Sequence, residues 1–171
     1  MAISQLVPFA KSMKIPGEAL AAITLFIGAA GNASGRILSG WMSDAMGRLN
    51  VLRLMIGISA VAMPVMYLTG GNVGMLYVMV FIVYWCYGTQ LSVNAATCSD
   101  FWGTKNAGIN YGLLFTAWGV TGYFASKVGG MLFDHYQNYE AAFYLAGGLA
   151  VLALIFEFLA KRPTPPAAAH A

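Results

Sequence analysis

Five apolar runs follow one another along this chain with only short polar breaks between them, and each reaches roughly the 20 residues that cross a bilayer core as a helix. That succession constrains the fold more than anything else in the sequence. Of the 171 residues, 59% are hydrophobic and 9% charged, against the quarter or so that covers a soluble domain. With a mean hydropathy of +0.68, the chain is expected to be an all-α, polytopic membrane helix bundle. Too few charges are present to coat a water-soluble surface. The net charge of +3 comes with no basic patch or aromatic–basic interleaving, so nucleic acid is excluded as a partner. Cys86 and Cys98 lack zinc or redox spacing and read as reduced packing residues.

Taken in order, residues 1–12 read as a partial helix, because the apolar run there is too short to span a bilayer and its lysines follow it rather than precede it, unlike a signal peptide. Lys11, Lys14, Pro16 and Gly17 form a turn. Full spans are expected at about 18–42, 51–68, 73–97, 111–133 and 141–160. Between them lie a loop at 43–50, a tight turn at 70–72, a longer polar connection at 98–110 and a turn at 134–140. Pro64 falls inside the second span, where a membrane helix tolerates it. The bundle is thus assigned to 1–162 and a disordered tail to 163–171. A chain that starts partway through the membrane is expected to be part of something longer.

The loops order the charges. Arg48, Arg53, Lys105, Lys161 and Arg162 fall on one side, and Lys11 and Lys14 on the other, which puts the first side and the C-terminus in the cytoplasm of an inner or plasma membrane. Within the spans, polar residues form stripes at helical spacing: Asn32, Arg36, Ser39 and Ser43; Tyr87, Gln90, Asn94 and Thr97; Thr116, Tyr123 and Lys127. Spans 51–68 and 141–160 have no such stripe and are expected to face lipid. Three polar faces suit a shared wet cavity. Packing through side-chain hydrogen bonds would account equally well for the Ser, Thr and Asn residues, but not for Arg36 and Lys127. An arginine inside an apolar helix is costly and demands a partner. Gly31 and Gly35 make a small-xxx-small pair, and Gly28, Gly35, Gly119 and Gly122 are expected where helices approach closely. Glu157 and Lys161 are spaced for a local pair.

The loop Gly40-x-x-x-Asp44-x-x-Gly47-Arg48 resembles the signature of major facilitator superfamily transporters, which lies between the second and third helices of each half of that fold. The stretch Asp100 to Gly112 (DFWGTKNAGINYG) and the run Leu114 to Gly122 (LFTAWGVTG) are similar to the oxalate:formate antiporter-like group of that superfamily. The resemblance implies the C-terminal half of a major facilitator fold, with five full spans and a partial one, whose N-terminal half is missing. It places 51–68 and 141–160 at the family's lipid-facing helices. It also implies that Arg36 and Lys127 occupy the helices whose arginine and lysine hold a dicarboxylate in the antiporter. Asp44 and Arg48 would form a gating latch toward the missing half, weakened here because Ala45 and Leu49 replace the usual basic residues.

The expected function is secondary active transport of small organic anions such as oxalate or formate, by alternating access. Arg36, Lys127, Tyr87 and Tyr123 are the expected substrate-binding residues, and Gly40, Asp44, Gly47 and Arg48 the gating motif. Arg36 offers a planar fork for a carboxylate and Lys127 a compact second charge. By helical rise Arg36 sits about 12 Å before Asp44, and Lys127 about 10 Å before Asp134, so both lie inside the core but toward opposite faces. A monocarboxylate:proton symporter is one alternative, and a non-transporting membrane scaffold another. No nucleophile–base pair, metal cluster or phosphate loop is present, so no enzyme, metal or cofactor is expected; the partners are a small carboxylate anion and the bilayer.

Overall fold

The computed structural model describes residues 18–69 and 72–161. The expected partial helix at 1–12, the turn after it and the tail at 163–171 lie outside the described residues. Within them the chain is all helix: α1 (Glu18–Met46), α2 (Arg48–Thr69), α3 (Val73–Trp102), α4 (Ala107–Tyr136) and α5 (Glu140–Leu159). Each expected span is present, and each of the three longest extends beyond its expected end. The loop expected at 43–50 is not a loop. Helix α1 continues to Met46, Gly47 alone interrupts it at φ 87°, and α2 begins at Arg48. Only glycine takes that backbone conformation without strain. The connection expected at 98–110 shrinks likewise to residues 103–106, with Gly103 at φ 77°. The turn before α5 is residues 137–139. Polar residues at these places are compatible with helix ends that emerge from a membrane, and composition alone misread them as coil.

Three of the five helices, α2, α3 and α5, are long and apolar enough to cross a membrane. Helices α1 and α4 have the length, at 29 and 30 residues, but fall short in apolarity, in line with the polar stripes expected on both. Their glycines and polar stripes lower the average. A helix that faces protein or water along part of its circumference needs less apolar surface than one ringed by lipid.

Helix α3 is the hub. It packs along α1 and α2, α2 packs along α5, and α4 touches α3 and α5 more sparsely. One apolar core joins Ala62 and Met66 of α2, Leu76, Val80 and Val83 of α3, and Tyr139 and Phe143 at the start of α5. A second joins Val51, Leu52 and Met55 to Cys86 and Val93. Both cysteines are free and buried, as expected. Pro64 leaves α2 unbroken to Thr69, and Gly147 of α5 lies against its ring, where a Cβ would stand 3.0 Å from Pro64 Cγ.

The α1–α3 contact is backbone on backbone. A Cβ added to Gly31 would meet the Phe81 carbonyl oxygen at 2.6 Å, and one on Gly35 or Gly88 would strike the carbonyls of Trp85 or Asn32 more closely still. Gly28 sits over the Tyr84 ring. The small-residue expectation is therefore met on α1, where close approach lets dispersion hold two helices together without a hydrophobic driving force. Gly119 and Gly122 have nothing within 4 Å among the described residues.

A hydrogen-bonded ring closes the same interface. Trp85 Nε1 donates to Ser39 Oγ at 3.2 Å, Ser39 and Thr89 share a bond of 2.6 Å, and Thr89 Oγ1 donates to the Trp85 carbonyl at 2.9 Å. Each hydroxyl has one proton, so Ser39 must give its own to Thr89. Ser39, enclosed in this ring and buried, is a packing group, which corrects the wet-cavity expectation for that member of the stripes; Ser43 and Thr97 are also buried, but they border the cavity at the α1–α2 junction.

Replacing Gly35 or Gly88 by leucine should cost about 1–3 kcal/mol or more, because backbone rather than a flexible side chain must move. Gly119→Ala, in open space, should be neutral or stabilising by up to about 1 kcal/mol through helix propensity. Thermal unfolding of the detergent-solubilised chain, followed by circular dichroism, separates the two.

Candidate substrate cleft and gating cluster

Arg36 projects from the exposed side of α1, one turn beyond Asn32, and its Nε donates to Asn32 Oδ1 at 3.2 Å. Asn32 in turn is pressed against Gly88 of α3, where an added Cβ would stand 2.7 Å from the same Oδ1. The tight interface therefore determines where the guanidinium can be. Tyr87 is the residue before Gly88 and so stands next to the contact that seats Asn32. Arg36 makes no ion pair among the described residues.

Beside Tyr87 a small cleft of about 130 Å³ opens between α3 and α4, room for about four waters. Gln90 and Asn94 line it from α3, and Tyr111, Phe115 and Trp118 from α4. The aromatic wall is built by Phe115 and Trp118, stacked at 4.9 Å, with Tyr111 at 5.5 Å from Phe115 and Tyr87 at 6.5 Å from Trp118. Tyr111 donates to the Leu91 carbonyl at 3.2 Å, which ties α4 to α3 at this level. An amide pair, a phenol and a nearby arginine on an aromatic wall can hold a small polar or anionic solute through charge-assisted and neutral hydrogen bonds.

The expected site residues divide. Tyr87 lines this cleft, whereas Arg36 does not and is linked to it through Asn32, which packs against Gly88, the residue after Tyr87. Tyr123 and Lys127 do not line it: Tyr123 is exposed and lies five residues, or about 7 Å, farther along α4 than Trp118. Lys127 Nζ lies 5.9 Å from the Tyr123 ring centroid, a cation–π contact one helical turn long. It is exposed and makes no ion pair among the described residues. The sequence reading underweighted Gln90, Asn94 and Tyr111. The first two were visible at i+3 and i+7 from Tyr87, but Tyr111 is brought to them only by the α3–α4 turn.

The residues expected to gate form a second cluster at the α1–α2 junction. Arg48 pairs with Asp44 at 3.4 Å, its Nε bonds Asp100 of α3, and its Nη1 donates to Ser43 Oγ at 3.1 Å. Asp100, expected in the 98–110 connection, lies instead in the last turn of α3 and joins this cluster. A cavity of about 450 Å³ adjoins the cluster, with Thr97, Asp100 and Arg53 in its lining. Gly47 supplies the break that turns Arg48 back over Asp44, and Gly40, with open space beside it, provides the carbonyl that accepts from Ser43. The expected Glu157–Lys161 pair is absent. Arg53 instead donates to the Glu157 and Ala160 carbonyls at 3.2 and 3.4 Å, capping the end of α5. Those carbonyls carry the negative end of the helix dipole, which favours a cation at this place.

An all-helical membrane bundle with a polar cleft beside its central helix, and a charge cluster where two helices meet end to end, is the architecture expected of a solute carrier. The sequence matches the Major Facilitator Superfamily over residues 2–171, and the chain belongs to that family. It is also similar to a protein of Escherichia coli (strain K12) described as the uncharacterized MFS-type transporter YhjX, at 28% identity over 89 residues. The match covers 52% of this chain and 22% of the relative.

Asp100→Asn should destabilise the chain by about 1 kcal/mol or less, since Arg48 and Asp100 are 29% and 43% exposed and solvent screens the pair. A double-mutant cycle with Arg48→Ala in thermal unfolding should recover that coupling.

Proposed function

We propose that this chain is the C-terminal half of a secondary transporter for small organic anions, and that Arg36 is its principal anion ligand. The observation that carries this reading is a guanidinium on an apolar helix whose only hydrogen-bond partner among the described residues is an amide, that of Asn32, packed against Gly88 next to the cleft residue Tyr87. A cation kept in that setting without a carboxylate is explained by a negatively charged solute that visits it. Family membership supports transport by alternating access, in which two six-helix halves rock about a midplane site. The second half is supplied by another part of the protein.

In this mechanism a carboxylate takes the fork of Arg36, with Tyr87 and the amides of Gln90 and Asn94 completing its hydrogen bonds. Lys127, freer and farther along α4, meets a second carboxylate as the cleft closes. Two unneutralised cations facing one low-dielectric space repel each other. The empty carrier would then reorient slowly, as obligatory exchange requires. Oxalate and formate are the substrates favoured by the resemblance of the α3–α4 connection and early α4. Asp44, Arg48 and Asp100 hold the α1–α2 junction against α3 and act in gating.

The test is uptake of labelled oxalate and formate by proteoliposomes that contain this chain completed by a family N-terminal half, with the chain alone as control. Uptake should appear only in the completed protein. Arg36→Ala should reduce it about 10- to 100-fold, the loss of a hydrogen bond to a charged group, and Lys127→Ala should reduce it less. Gly88→Ala should raise the half-saturating concentration, because it displaces the Asn32 oxygen that holds Arg36. Uptake that survives Arg36→Ala unchanged would refute the reading.

A further inference from the structure

On the side of α2 away from α1, an open groove of about 640 Å³ runs from Arg53 to Val65. By helical rise it is about 18 Å long, close to the 15 Å or so of one leaflet's hydrocarbon. Its walls are almost wholly apolar, with Leu54, Ile58 and Val61 on one side, Leu154 and Phe158 of α5 on the other, and Ile82 of α3 beneath. Gly57 forms part of its floor. A Cβ there would meet only Leu154 Cδ2, at 3.8 Å, so the groove exists in part because this position lacks a side chain.

The groove is closed at one end by a charge. The Arg53 guanidinium lies over the Phe158 ring at 5.0 Å. Its position is locked by bonds to the Glu157 and Ala160 carbonyls and by Nη1 donating to Asn50 Oδ1 at 3.2 Å. These bonds occupy four of its five N–H groups at most and leave an Nη1 proton for another acceptor. Lys161, exposed, follows Ala160 and adds a second positive charge at the same end; Glu157, half-buried, is the acid beside them.

We propose that this groove is a phospholipid site, which seats one acyl chain along α2 and α5 with an anionic headgroup on Arg53 and Lys161. The length of the groove and the sign of the charge at its mouth specify the occupant: a chain one leaflet long, carrying a phosphate at one end. An apolar helix of another polypeptide would offer no anion to the free Nη1 proton of Arg53 or to Lys161. The site does not depend on what the protein carries. Its effect is to clamp α2 to α5, which meet here through Gly57 and Leu154.

The experiment is native mass spectrometry of the detergent-purified full chain mixed with equal amounts of phosphatidylglycerol and phosphatidylcholine bearing the same acyl chains. The wild type should retain one phosphatidylglycerol about five-fold in preference to phosphatidylcholine. Arg53→Gln should keep a lipid but lose the headgroup preference. Gly57→Leu, which fills the groove with little steric conflict, should lose the retained lipid while its circular dichroism stays that of the wild type. Equal retention of the two lipids by the wild type, an unchanged adduct in Gly57→Leu, or a lipid-free dimer would each overturn the proposal. Should Arg53→Gln unfold because α5 loses its cap, the wild-type preference and Gly57→Leu still decide the matter.

Discussion

The structure depends on how closely α1 can approach α3. In a bilayer, apolar side chains gain nothing by leaving lipid for protein, so helices associate through dispersion at short range and through hydrogen bonds shielded from water. Gly31, Gly35 and Gly88 remove the side chains that would hold the two backbones apart. The ring through Trp85, Ser39 and Thr89 then satisfies the polar groups enclosed by the contact. Both devices are needed, since close approach that stranded a hydroxyl would lose about as much as it gained.

Function is tied to that packing by one side chain. Asn32 touches Gly88 and accepts from Arg36, so the position of the guanidinium is decided by the same glycine that admits the helix. The candidate cleft is thus backed by a close helix contact and lined on its other side by α4.

The two arginines near the α1–α2 junction have different tasks. Arg48 knits three helices through Asp44, Ser43 and Asp100 and leaves its environment polar. Arg53, five residues on, lines the same junction cavity but spends its hydrogen bonds on the end of α5 and also presents charge beside an apolar groove. One cation therefore meets protein acids and the other helix carbonyls.

The apolar runs, the scarcity of charge and the Gly-x-x-x-Asp-x-x-Gly-Arg pattern determined the all-helical membrane bundle, the order of its helices and the family, because length and hydropathy limit what can sit in hydrocarbon. Periodicity also picked out Arg36 and Tyr87, which share the neighbourhood of the cleft. It could not say which polar residue of a stripe faces a neighbour and which faces a cavity. Ser39 and Ser43 share a stripe with Arg36, yet they are buried and Arg36 is exposed, because a face only about 100° wide still has two edges and α3 covers one of them. Nor could it pair Arg48 with Asp100, or Tyr111 with Leu91, across 52 and 20 residues of chain. Those partners are chosen by how the helices lean on one another, and that angle is fixed by the glycine contacts rather than by any local preference.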